Sequence, residues 1–143
     1  MGPLDGYLPY LLNRAGARIA TAFGEEMRRL GSSLQAWRVL AALRDRDGRR
    51  MGDLSTTTSI EVSTLTRLVD NMEKTGLVTR RRDANDTRAV LLHVTAAGRR
   101  LTRRILPIAE RYETVALKGF GVAEADSLKA ALRRLYANMD DLA

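Results

Sequence analysis

Between Leu8 and Leu30 the apolar residues Leu8, Leu12, Ala15, Ile19, Ala22, Phe23 and Met27 recur in steps of three and four, the spacing of one helical face. Gly31 is placed to stop that helix. Ser32, followed three residues later by Gln35, has the capping-box spacing that starts a second one. This second helix carries Leu34, Trp37, Leu40 and Leu43 and is closed near Arg46 by the turn signal Asp47-Gly48. From Met51 to Ile60 the signals conflict. The run Ser55-Thr56-Thr57-Thr58-Ser59 has poor helix propensity, yet Leu54 and Ile60 are spaced as the core anchors of a short third helix. Over Glu61–Thr75 the pattern is clear again: Val62, Leu65, Val69 and Met72 form an apolar face opposite the polar stripe Ser63, Arg67, Asp70 and Lys74. Gly76 stands where a left-handed cap would end this fourth helix.

After Gly76 the period shifts from helical to alternating. Residues 77–81 read as a short strand, Asp83-Ala84-Asn85-Asp86 as turn residues, and Val90, Leu92 and Val94 as the alternating apolar positions of a second strand. Thr95 can cap a long helix reaching about Lys118, which Pro107 should kink because its nitrogen carries no hydrogen. A last helix, from about Val122 to Leu142, aligns Leu128, Leu132, Leu135 and Met139. The expected fold is mainly α with a small β-hairpin wing: helices, a hairpin, and further helices.

Charge now narrows the function. Lys and Arg number 24 against 17 Asp and Glu, a formal charge of +7, which calls for a polyanionic partner. There is no cysteine and a single histidine, His93, so thiolate zinc, disulfides, thiol-based oxidant sensing and a multi-histidine metal site are excluded. His93, on the strand face opposite Val90, Leu92 and Val94, reads as a partly exposed structural residue. No apolar run approaches the roughly 18 residues that cross a bilayer, and Met1 to Asp5 lack a signal-peptide layout, so the expectation is a cytoplasmic chain with no membrane role. No phosphate loop, nucleophile motif or clustered acid-base set is present. We therefore expect no enzyme, no catalytic or metal residue and no cofactor.

The order helix, short helix, helix, hairpin, helix is that of a winged helix-turn-helix, in which one helix enters the major groove and the hairpin reaches an adjacent minor groove. The fourth helix would offer Ser63, Thr64, Thr66 and Arg67, hydroxyls and a guanidinium suited to phosphates and base edges. The hairpin carries Arg80, Arg81, Arg82 and Arg88, with Asp86 two residues before Arg88 and able to orient it. Arg80, Arg81 and Arg82 alternate sides of a strand, so at most two face one partner; Arg80 and Arg82 are taken as the DNA-facing pair. Arg67 could instead be solvated, and Arg88 could form only a surface ion pair. The run Arg99, Arg100, Arg103, Arg104 suits either a solvated face or DNA proximity.

Four pieces in fixed order, Ser63-Thr64-Leu65-Thr66-Arg67-Leu68-Val69-Asp70, Glu73-Lys74-Thr75-Gly76-Leu77-Val78, Asp86-Thr87-Arg88 and Val94-Thr95-Ala96-Ala97-Gly98, resemble the MarR family of bacterial regulators. Each piece alone is common; together they are specific. The resemblance implies a single MarR-like domain over 1–143, with a winged helix-turn-helix lobe at about 32–95. Helices at about 7–30 and 96–143 would then build a homodimer that binds double-stranded DNA at a pseudo-palindromic operator. Gly52 departs from the resemblance, standing where a capping hydroxyl would precede the third helix. The family also implies a repressor released by a small effector, with a pocket where the dimerisation helices meet the lobe. Tyr7, Tyr10, Arg14 and Trp37 are the candidates to line it, and three aromatics with a guanidinium suit an aromatic acid or acyl thioester. The alternative keeps Trp37 and Tyr10 in the core and leaves no pocket. The competing function is a sequence-tolerant architectural DNA-binding protein without effector.

Overall fold

The computed structural model describes residues 2–142; Met1 and Ala143, the ends of the expected 1–143 domain, lie outside the described residues. The chain divides into two compact units, one reaching through Ala109 and the other beginning at Glu110. The first holds α1 (Leu8–Arg29), α2 (Leu34–Asp45), β1 (Arg49–Arg50), α3 (Met51–Thr58), α4 (Val62–Lys74), β2 (Val78–Arg82), β3 (Val90–Val94) and the start of α5 (Ala96–Ala116). The second holds the end of α5 and α6 (Val122–Asn138), followed by a 3-10 turn at Met139–Leu142. α5 continues through Pro107.

The helix boundaries follow the local chemistry. Gly31 and Gly76 both adopt left-handed φ, at 72° and 80°, and the amides just past these glycines close back onto the carbonyls of Met27 and Met72. One cap differs from expectation: Ser33, not Ser32, caps α2, its hydroxyl accepting from the Ala36 amide at 3.1 Å. The chain turns tightly at Gly31, which puts Ser33 at the extended position from which a side chain can reach the first turn. The Ser-Thr run does continue α3 as far as Thr58, with Ser59 left-handed at its end, and its hydroxyls bond to the backbone. Thr58 donates to Leu54, Thr56 to Gly52 and Ser55 to Ile60, all at carbonyl oxygens, while Leu54 and Ile60 anchor it in the core.

The core of the first unit joins Val39, Leu40 and Leu43 of α2 to Leu54, Ile60, Leu65, Val69, Met72, Val78 and Leu92. The apolar stripe of α4 is therefore buried as read, except Val62, which lies in the first turn and is exposed. The hairpin is also more than a hairpin. β1 pairs antiparallel with β3, Arg49 opposite Leu92 and Arg50 opposite Leu91, giving a three-stranded sheet in the order β1-β3-β2. A two-residue strand is too short to show a period, so the pattern could not announce it.

Candidate nucleic-acid interface

α4 is held by Leu65, Val69 and Met72, and its other face is turned outward. Ser63, Thr66 and Arg67 are exposed and Thr64 is half-buried. Ser63 donates to the Glu61 carboxylate at 3.0 Å, and Thr66 donates to the Val62 carbonyl at 2.8 Å, leaving each hydroxyl oxygen able to accept. No carboxylate pairs with Arg67 among the described residues.

β2 and β3 pair from Val78 with Val94 out to Arg82 with Val90. The loop beyond is organised by its own side chains. Asp83 accepts from the Asn85 amide at 2.9 Å, Asp86 from the Arg88 amide at 3.1 Å, and the Arg82 guanidinium donates to the Thr87 carbonyl at 2.7 Å. Asp86 lies 3.6 Å from the Arg88 guanidinium and 3.8 Å from that of Arg50 on β1. Arg88 is nevertheless 94% exposed at its side chain. A pair so open adds little stability. The bond from the Arg88 amide does fix the backbone that carries this cation at the wing tip.

Arg80 is placed differently. Its guanidinium donates to Glu73 at 2.8 Å and to Asp70 at 2.7 Å, and its amide donates to the other Glu73 oxygen at 3.0 Å. Burial works against the charge of this guanidinium, but the hydrogen bonds and attraction of Asp70 and then Glu73 outweigh it, and its pKa is raised. Arg80 is thus bound to α4 rather than free beside Arg82.

The pocket candidates fall in two places. The Arg14 guanidinium sits 5.5 Å over the Tyr10 ring, with Tyr7 exposed nearby in sequence. Trp37 meets Phe23 edge-on, centroids 6.4 Å apart. Trp37 also lines a cleft of about 390 Å³ with Arg38, Ala41, Ala42, Asp45, Thr57 and Thr58; Tyr7, Tyr10 and Arg14 are not among its walls. His93 is half-buried as expected, its ring 3.5 Å from Asp47.

Arg49 and Arg50 were not legible in sequence, because β1 was not. Arg50 is exposed beside the wing tip, whereas Arg49, 8% exposed, donates to the Ala42 carbonyl at 3.2 Å and to Thr57 at 2.6 Å, tying α2 to α3. The one signal available was a basic pair directly after Asp47-Gly48. Among the described residues no helix is long and apolar enough to cross a membrane, and no cluster of potential metal ligands occurs.

Known proteins resemble this chain in sequence and in fold. A family model described as "MarR family" matches residues 30–89. The transcriptional regulator FarR of Neisseria gonorrhoeae is 30% identical over 105 residues, covering 73% of this chain and 72% of the relative. A MarR-family regulator from Silicibacter pomeroyi is 34% identical, with a TM-score of 0.86 over 95% of this chain and 92% of that one. BpsR of Bordetella bronchiseptica, whose DNA binding is regulated by 6-hydroxynicotinic acid, is 26% identical, with a TM-score of 0.83 over 92% and 94% of the two chains.

Proposed function

This chain belongs to the MarR family of transcriptional regulators, and from that premise we propose that it acts as a homodimer that reads a pseudo-palindromic operator and releases it when a small aromatic acid binds. The observation that carries the DNA reading is the pairing of an exposed polar face on α4, ending in Arg67, with a wing tip whose Arg88 is almost wholly exposed and held at its amide by Asp86. Ser63, Thr64, Thr66 and Arg67 would meet the major groove, and Arg82, Asp86 and Arg88 the minor groove and flanking phosphates.

Two-fold pairing is supported by the apolar residues left exposed in α1 and α6, among them Leu8, Leu11, Leu12, Leu128 and Leu132. The winged lobe would span about 32–95, with helices from about 7–30 and 96–143 serving the dimer. For the effector, the cleft beside Trp37 is lined by that aromatic residue and by Arg38, a combination that suits a planar carboxylate. Tyr7, Tyr10 and Arg14 remain proposed contributors. The chain is proposed to work in the cytoplasm, without cofactor and without catalysis.

Two single variants test the DNA face. Arg88→Ala is expected to weaken binding across all sequences and lower its salt dependence, whereas Arg67→Ala costs roughly 1–3 kcal/mol and relaxes preference at one base position. Both proteins stay folded, since neither side chain is in the core. Fluorescence-anisotropy titrations with matched and single-substituted duplexes measure both effects. An Arg88→Ala protein that binds as tightly as the parent at physiological salt removes the wing from the interface.

A further inference from the structure

We infer that Arg80 is a positioning residue: with Asp70 and Glu73 it locks the wing to the recognition helix and raises operator affinity without touching DNA. The inference rests on the proposed DNA-binding reading and assigns Arg80 a role different from that of Arg88.

The two carboxylates stand three residues apart on α4, which puts them on one face of the helix. Arg80 lies on β2, the strand that carries the wing. Three hydrogen bonds cross from strand to helix, two from the guanidinium and one from the amide, so both orientation and register are held. Between α4 and β2 the chain has only residues 75–77, with a left-handed glycine among them. Thr95 fixes this turn from the α5 side, its amide and hydroxyl donating to the carbonyls of Leu77 and Gly76. The clamp acts further out, on the blade itself.

Charge points the same way. One guanidinium with two carboxylates leaves the cluster with a formal charge of −1, which does not attract phosphate. Both terminal nitrogens of Arg80 are engaged and its side chain is 27% exposed, against 94% for Arg88. A helix in one groove and a hairpin in the next must be presented at a fixed spacing, and apparent affinity falls by whatever fraction of molecules has the wrong one.

The test uses the full chain and the duplex it selects from a random pool, with affinity measured at several salt concentrations and folding followed by thermal melting. Arg80→Ala is expected to bind about tenfold more weakly, by loss of the competent population, with an unchanged salt slope and nearly unchanged melting; Arg80→Lys recovers part of the loss. Arg88→Ala instead lowers the slope by about 0.9 for each phosphate contact removed, roughly 1.8 for a dimer. The double variant Asp70→Asn/Glu73→Gln discriminates more sharply, and also decides the matter if Arg80→Ala does not fold. Removing negative charge beside DNA tightens binding on electrostatics alone, whereas loss of the clamp weakens it. An Arg80→Ala slope that drops as that of Arg88→Ala does, or a double variant that binds more tightly than the parent, overturns the inference. If Arg88→Ala leaves both affinity and slope untouched, the fault lies with the DNA-binding reading itself.

Discussion

A chain carrying Leu128→Asp and Leu132→Asp is expected to sediment as a monomer and to bind its operator roughly 10²–10⁴-fold more weakly, the factor that separates two coupled contacts from one. Both leucines lie one turn apart on α6, each 39% exposed, and α6 buries no side chain among the described residues. A 17-residue helix with nothing buried does not hold its shape in water on propensity alone. It needs a cover, and the proposed isologous partner would supply one. In a two-fold dimer four leucines are replaced at once; at about 1.5–3 kcal/mol for each leucine fully buried, and with only the 39% still exposed on each left for a partner to cover, the loss is roughly 2–5 kcal/mol, enough to carry a micromolar dimer toward millimolar dissociation. Sedimentation equilibrium reads the assembly, and circular dichroism checks that the first unit, with its own core, remains folded. A variant that stays dimeric with parental affinity places the interface elsewhere.

Gly98→Ala is expected to destabilise the fold by about 3 kcal/mol, the upper part of the range for overpacking a filled site, or roughly 10 °C in melting temperature. A Cβ on Gly98 would overlap the Leu77 carbonyl oxygen and lie 2.7 Å from a Val94 methyl. The carbonyl cannot retreat cheaply, because it accepts the Thr95 amide at 3.0 Å in the bond that joins β3 and α5 to the turn after α4. The Gly98 amide in turn donates to the Thr95 hydroxyl at 3.0 Å, so the strain reaches the cap of α5 as well. DNA binding should fall with it, since the same turn sets the base of the wing. Differential scanning calorimetry measures the shift; a melting temperature within a degree or two of the parent would contradict the packing described here.

Gly98 also shows what a sequence does and does not disclose. It could be quoted as part of a motif, but its reason, a backbone carbonyl against its Cα, exists only once three elements have met. The helices were legible because their apolar periods are long, and α4 most of all, with Leu65, Val69 and Met72 buried where the period puts them. β1 was not legible, being two residues long, and with it went the roles of Arg49 and Arg50. Arg80 differs in that its partners lie outside its own strand. Strand alternation identifies which residues share a face, but it cannot say that Asp70 and Glu73, ten and seven positions earlier, will reach that face first. The effector candidates separated in the same way: Trp37 has a cleft, while Tyr10 and Arg14 found each other. Side-chain competition is settled in three dimensions.

The central claim is that this regulator reads DNA by sequence and as a two-fold pair. The most direct measurement selects duplexes from a random pool with the full chain, then compares its affinity for the recovered site with that for one isolated half and for unrelated DNA at the same salt. We expect an inverted repeat with half-sites roughly 34–36 Å apart, one helical turn, bound at least about 10³-fold more tightly than unrelated DNA, and a single half bound much more weakly than the pair. Recovery of no common sequence, or equal affinity for the recovered site, its half and unrelated DNA, would contradict the account and leave a protein that coats DNA without reading it.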